Sequence, residues 1–229
     1  MQSNRPFILI VNDDGVFAPG LKFLSTTLKQ IADILVIAPE KEQSGKSHAI
    51  SVDQKIKLKK LKVSDGYAEY SCSGTPADCV KIAMHELVQK KPDLCVSGIN
   101  HGANFSISTL YSGTVHAAIE GTIQGMPSIA ISHQNYSKDI DFSHFKKFII
   151  NIANYILNTG LKNGVTLNIN IPDAPFSEIK GIKLCNQGNG NWEEEYEKKE
   201  QDYYWLTGDF VSFDHSKNSD IWALSLIHI

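Results

Sequence analysis

The sequence predicts an α/β fold built on a parallel sheet with helices on both faces, and three features carry that expectation. Short β-branched runs recur along the chain, apolar residues at helical spacing separate them, and polar, glycine-containing loops follow them. The first run is FILIV (7–11), which stops on the adjacent acids Asp13 and Asp14 and then Gly15. Leu21, Leu24, Leu28 and Ile31 recur at helical spacing ahead of the second run, ILVIA (34–38). The stretch 49–63 alternates apolar and basic residues and leads into GYAEYSC (66–72), the pattern of a two-stranded β-hairpin excursion at a sheet edge, where lysines discourage aggregation. Val80, Met84, Leu87 and Val88 mark a further helix, and DLCVSGI (93–99), SIAIS (128–132) and VTLNINI (165–171) supply three more strands. Residues 186–209 mix turn formers, charge and aromatics without a clear period, which fits either a surface hairpin or an arm that packs on a partner subunit.

The 229 residues are read as one domain, 1–229, with 186–209 an extended arm within it. A composition of 42% hydrophobic and 21% charged residues is ordinary for a globular protein, and a net charge of -3 lacks the basic footprint of a nucleic-acid binder. The longest early apolar run, residues 7–11, is too short for a signal-peptide core or a membrane span, so no membrane partner and a cytoplasmic location are expected. Cys72, Cys79, Cys95 and Cys185 lack the close paired spacing of a zinc site and read as buried reduced thiols.

In open parallel sheets ligands bind beyond the carboxyl ends of the strands, where Asp13 and Asp14 fall. Two adjacent carboxylates repel unless a cation or hydrogen-bond donors neutralise them, so the pair points to a divalent metal or to a turn closed by Asn12, Asp13 and Asp14. After the second strand, Ser44 and Gly45 lie in a loop at the same edge, where the serine could serve as nucleophile, metal ligand or turn residue. No G-x-S-x-G elbow surrounds it. The strand 93–99 delivers Asn100 to that edge. YSGTVHAAIEG (111–121) then reads as a loop feeding a helix N-terminus, a natural anion site with Ser112 and Thr114 as added hydroxyl donors or plain caps. Thr75 and Pro76 form a second helix start that capping explains in full. His48, His101 and His116 lie in or near these loops, and a histidine there could protonate a leaving oxygen near neutral pH. Together the loops offer two carboxylates, a hydroxyl and an amide oxygen, hard donors that favour Mg²⁺ or Mn²⁺ over zinc. A hard cation beside an anion-binding helix start suggests phosphate ester hydrolysis.

The motifs VNDDGVFAPG, SGKSHAIS, GTPADCV, SGINHGAN and YSGTVHAAIEG, in this order and spacing, resemble the SurE (survival protein E) family of nucleotidases over about 7–132. The resemblance implies a Rossmann-like fold and one divalent metal per subunit. It also implies hydrolysis of nucleoside 5'- and 3'-monophosphates, with short polyphosphate a substrate for some members. A homodimer or homotetramer built partly by exchanged C-terminal arms is implied as well. By the same resemblance the metal ligands fall on Asp13, Asp14, Ser44 and Asn100. Asn104, Ser112, Gly113 and Thr114 match the phosphate-side loop, and His48 is a candidate acid. Asp13 or Asp14 is the first choice for a catalytic base.

Two departures stand out: NFSIST (104–109) replaces a segment that carries acids in many relatives, and the chain closes on SLIHI (225–229) in place of a Gly-Tyr-Val-Ser-Ile type strand. An altered pocket rim is expected from the first. Rival readings fare worse on the residues. A signalling receiver domain needs an Asp at the end of the third strand, where Ser97 and Asn100 stand, and a haloacid-dehalogenase-type phosphatase needs D-x-D-x-T after the first strand. The remaining alternative is a catalytically inactive nucleotide- and metal-binding protein.

Overall fold

The computed structural model describes residues 5–137 and 139–225. Chain order begins with β1 (Phe7–Val11), α1 (Pro19–Leu28), β2 (Asp33–Pro39), β3 (Leu58–Ser64), β4 (Tyr67–Cys72) and α2 (Pro76–Ile82). It continues with β5 (Leu94–His101), α3 (Gly113–Ile123), β6 (Ser128–His133), α4 (Lys146–Thr159), β7 (Thr166–Ile171), β8 (Gly190–Glu200), β9 (Tyr203–Ser212) and α5 (Asp220–Ser225). Seven strands form one sheet in the order β3-β4-β2-β1-β5-β6-β7, parallel except for the β3–β4 hairpin. After β1 the chain builds outward through β2 and β4, then returns to place β5 on the other side of β1. That reversal opens a crevice between the carboxyl ends of β1 and β5, the place where such sheets take ligands.

Alternation along β1 divides the core between the two faces. Ile8 and Ile10 face Leu21, Leu24 and Leu28 of α1 and Ile149, Ala153 and Ile156 of α4, all buried. Leu9 and Val11 point the other way, onto Cys79 and Val80 of α2 and Ala117 of α3. Each large aliphatic side chain buried this way contributes about 1.5–3 kcal/mol. Helices therefore cover both faces, as the β-branched runs require.

The 49–72 excursion forms the antiparallel β3–β4 hairpin at the sheet edge; β4 also pairs in parallel with β2, so Leu58–Ser64 alone is the lysine-bearing edge strand. Two other expectations change in detail. The helical pattern through Val88 ends as an α-helix at Ile82. A wider turn, Ala83–Leu87, follows, in which the Val88 N–H donates to the Ala83 carbonyl five residues back. Cys72, Cys79 and Cys95 are buried free thiols, whereas Cys185 is only half-buried because it lies in an irregular surface segment after β7.

The aromatic stretch forms a two-stranded antiparallel hairpin, β8–β9, that runs past the predicted limits to Ser212. Its base is docked: Trp192 Nε1 donates to Ser108 Oγ at 3.2 Å, and Phe210 packs edge-on against both Trp192 and Phe105. The NFSIST segment is thus where the hairpin meets the sheet, with Ser106 also bonded to Asp220 and Gly188. Of SLIHI, residues 226–229 lie outside the described residues.

Candidate active site

Asp13 follows β1 directly and is 4% exposed. Its burial against the first turn of α3 is what the surrounding sequence arranges. Thr114 Oγ1 donates to Asp13 Oδ1, and the Thr114 backbone N–H also serves the carboxylate. Gly113 makes the approach possible, since a Cβ there would stand 2.8 Å from Asp13 Cβ and 2.9 Å from Oδ2. Ser112 caps the helix by accepting from Val115 N at 3.1 Å. The positive end of α3 is therefore turned onto Asp13. Burial still outweighs these donors and pushes the Asp13 carboxyl above its ordinary range, with Glu42 adding a smaller like-charge push.

Gly15, at φ +99°, makes the turn that closes the β1 loop, and Asn12 Nδ2 donates to its carbonyl at 3.0 Å. Asn12 is fully buried, and its Oδ1 has no hydrogen-bond partner among the described residues. Asn100, across the crevice, commits Nδ2 to the Gly102 carbonyl at 2.7 Å, which leaves its amide oxygen as a donor atom. The Ser44 loop is brought in by its backbone, where Gln43 N donates to the Asp13 carbonyl at 2.8 Å. Ser44 itself is exposed, and its hydroxyl donates to Glu42 Oε1 at 2.8 Å. Asn104 is buried and donates from Nδ2 to Ser132 Oγ at 2.8 Å.

Among the described residues no group of three or more His, Cys, Asp or Glu side chains is arranged to hold a metal. A metal here would rest on Asp13 and Asp14 plus neutral oxygens, a hard-oxygen set that fits Mg²⁺ or Mn²⁺. A cavity of about 670 Å³ opens beyond β6 and β7, lined by His133, His144, Asp139, Asp141 and Asp173 among others.

Two loop histidines meet at the flank of α3. His48 Nε2 lies 2.9 Å from Glu120 Oε2, and its ring sits 5.2 Å from that of His116, whose Nδ1 donates to the Ser112 carbonyl at 2.9 Å. His101 lies elsewhere, with Nδ1 on the Ser137 carbonyl at 2.7 Å and its ring edge-on to Phe142. Glu120 was not picked out from the sequence, and Asn12 only as a turn residue. The signal for Glu120 was present in its spacing of four from His116, which puts both on one helix face.

Comparison with known proteins is consistent across sequence and structure. The sequence model of the family described as Survival protein SurE matches residues 8–194. The 5'-nucleotidase SurE of Christiangramia forsetii is 49% identical over 98% of this chain and 88% of its own length. That of Flavobacterium psychrophilum is 45% identical over 96% and 88%. The crystal structure of the SurE protein from Aquifex aeolicus superimposes with a TM-score of 0.82 at 36% identity, covering 97% of this chain and 90% of that one.

Proposed function

The chain belongs to the SurE family, and from that premise we propose that it is a 5'-nucleotidase that hydrolyses nucleoside monophosphates in the β1/β5 crevice with the help of a divalent metal. The observation that carries this reading is the buried Asp13 carboxylate held at the first turn of α3, next to Asp14 and at the end of the strand that pairs with β5, which carries Asn100. Asp13, Asp14, Ser44 and Asn100 hold the metal. Ser44 joins the set by turning its hydroxyl away from Glu42, a rotation about one exposed side-chain bond. A bound Mg²⁺ or Mn²⁺ supplies Lewis-acid polarisation of the phosphoryl group and lowers the pKa of a water.

The chain's own residues do the rest. Ser112, Gly113 and Thr114 put the helix dipole behind the phosphate, and Asn104 lines the same side. A water oxygen forms the new bond to phosphorus as the bond to the ribose oxygen breaks, with Asp13 or Asp14 taking the water's proton and His48 protonating the leaving oxygen.

The test is phosphate release from a panel of 5'- and 3'-nucleoside monophosphates and short polyphosphate, with and without Mn²⁺ or Mg²⁺. Metal-stimulated release ranked highest on 5'-monophosphates is expected. A folded protein that releases no phosphate with either metal contradicts the reading and makes it a nucleotide-binding protein without turnover.

The same reading extends to assembly. The distal β8–β9 hairpin exposes Tyr196, Tyr203, Tyr204, Trp205 and Leu206, each more than half exposed, and large aromatics are enriched where interfaces form. They pack on a second copy of the chain. Light scattering should give a dimer or tetramer that Trp205→Glu with Leu206→Glu converts to monomer; a wild-type monomer would contradict the proposal. None of the described helices is long and apolar enough to cross a membrane.

A further inference from the structure

Glu120 is a buried acid outside the catalytic groups described above. It sits on α3 with 2% exposure, facing α2 and the loop that carries Ser44 and His48. Its two oxygens have different partners. Oε1 accepts from Lys81 Nζ at 2.9 Å and from Gln124 Nε2 at 2.8 Å, while Oε2 meets His48 Nε2 at 2.9 Å. Although burial alone would raise its pKa, the Gln124, Lys81 and His48 contacts hold the carboxyl below its ordinary range, so it is ionised at neutral pH. An ionised carboxylate only accepts hydrogen bonds, so the proton between Glu120 and His48 belongs to Nε2.

The loop is fixed on either side of this contact. Ser47 donates from its N–H to the Tyr111 carbonyl at 3.1 Å and from its hydroxyl to the Leu110 carbonyl at 2.6 Å. Asp78 of α2 accepts from the Ser51 N–H and hydroxyl, at 3.1 and 2.7 Å. His116 packs on the His48 ring from α3, and burial holds it below the ordinary histidine range, so it stands beside His48 as a neutral neighbour. Ser112, His116 and Glu120 follow at intervals of four, one face of α3. That face runs from the helix start that holds Asp13 to Glu120, about 10 Å along the axis for seven residues from Gly113.

We propose that Glu120 is a positioning residue for His48 in the phosphate ester hydrolysis inferred above: it binds Nε2–H, fixes the ring, and leaves Nδ1 as the nitrogen that gives its proton to the departing ribose oxygen. The inference rests on the nucleotidase reading for that proton transfer and on geometry alone for the hold on the ring. In the transfer, the Nδ1–H bond breaks as the phosphorus–oxygen bond to ribose breaks, and the new O–H bond forms on the leaving nucleoside. His48 is left neutral with its proton on Nε2, and it regains the Nδ1 proton from solvent.

The experiment combines kinetics on 5'-AMP with Mn²⁺ and nitrogen-15 NMR of the histidine rings. Glu120→Gln keeps the shape of the side chain while removing its charge, and it should lower kcat about 10-fold to 100-fold with KM little changed, by analogy with the loss when partners that orient metal-bound histidines are removed. His48→Ala should lower kcat at least as far, and adding Glu120→Gln to it should cost no more, because one acts through the other. Gln124→Ala removes a contact to Oε1 only, so it should lower Tm with kcat within about twofold of wild type. The NMR spectrum should show His48 with Nε2 protonated in the wild type and a mixture of tautomers in Glu120→Gln.

Multiplicative losses in the double variant, or a Gln124→Ala loss of kcat equal to that of Glu120→Gln, would overturn the proposal in favour of a purely structural clamp. A wild type that releases no phosphate overturns the nucleotidase reading and the proton transfer with it. The NMR tautomer still reads the hold of Glu120 on His48 separately, and Nδ1 protonation of neutral His48 would overturn that.

Discussion

Asp13→Asn should abolish metal-stimulated phosphate release and at the same time make the metal-free protein more stable. Both effects follow from one geometry. The carboxylate is buried against α3 and its pKa is raised, so keeping it ionised opposes folding in the absence of a cation. Asparagine preserves the acceptor oxygen for Thr114 but carries no charge to hold a metal. The sign of the pH effect is fixed by the direction of the shift. A group whose folded pKa is raised binds more protons folded than unfolded, so the wild type loses stability as pH rises from about the ordinary value of 3.8 through the raised one. The advantage of Asp13→Asn should be absent below that window and full above it. A rise in Tm of roughly 2–4 °C at neutral pH is expected, the shift that about 1 kcal/mol gives in a chain of this size. Such an exchange of stability for activity is common at catalytic centres. Normal turnover with Mn²⁺ in Asp13→Asn would remove the proposed centre altogether.

Gly113→Ala should be nearly as damaging, for a steric reason. The added methyl would stand 2.8 Å from Asp13 Cβ, closer than carbon atoms approach, and the neighbour is a short buried side chain with nowhere to swing. Either Asp13 leaves the first turn of α3 or the helix start moves back. Overpacking of this kind costs about 1–3 kcal/mol, and a displacement of about 1 Å at a reacting centre can cost on the order of 100-fold in rate. We expect a folded protein with kcat reduced about 100-fold or more and weakened Mn²⁺ affinity. Wild-type kinetics in Gly113→Ala would show that Asp13 does not need its seat on α3.

Much of this arrangement was legible from local pattern. The strands FILIV and SIAIS read directly because buried parallel strands are short, β-branched and nearly uniformly apolar. The start of α2 was legible because Thr75 and Asp78 form a complete capping box and Pro76 stands at the first helical position. The role of β4 was not, since YAEYSC has the alternation of a surface hairpin, and its pairing with β2 is a long-range contact that no local pattern encodes. At the site, the acids Asp13 and Asp14 announced themselves by adjacency, and Ser112 to Thr114 by their place before a helical pattern. What sequence could not supply was their mutual contact: Thr114 and Asp13 are 101 residues apart, and their bond depends on sheet order. Glu120 was hidden for the opposite reason, as one more charge on a helix until its burial was known.

The most direct test of the account is a Mn²⁺ titration of chelator-stripped wild-type protein and Asp14→Asn, reading metal binding and phosphate release from 5'-AMP in the same samples. Release in the wild type should rise in step with occupancy of one site per chain, and Asp14→Asn should lose both together. Full release from the stripped wild type with chelator still present, or retention of both binding and release by Asp14→Asn, would contradict a metal-dependent centre at the end of β1.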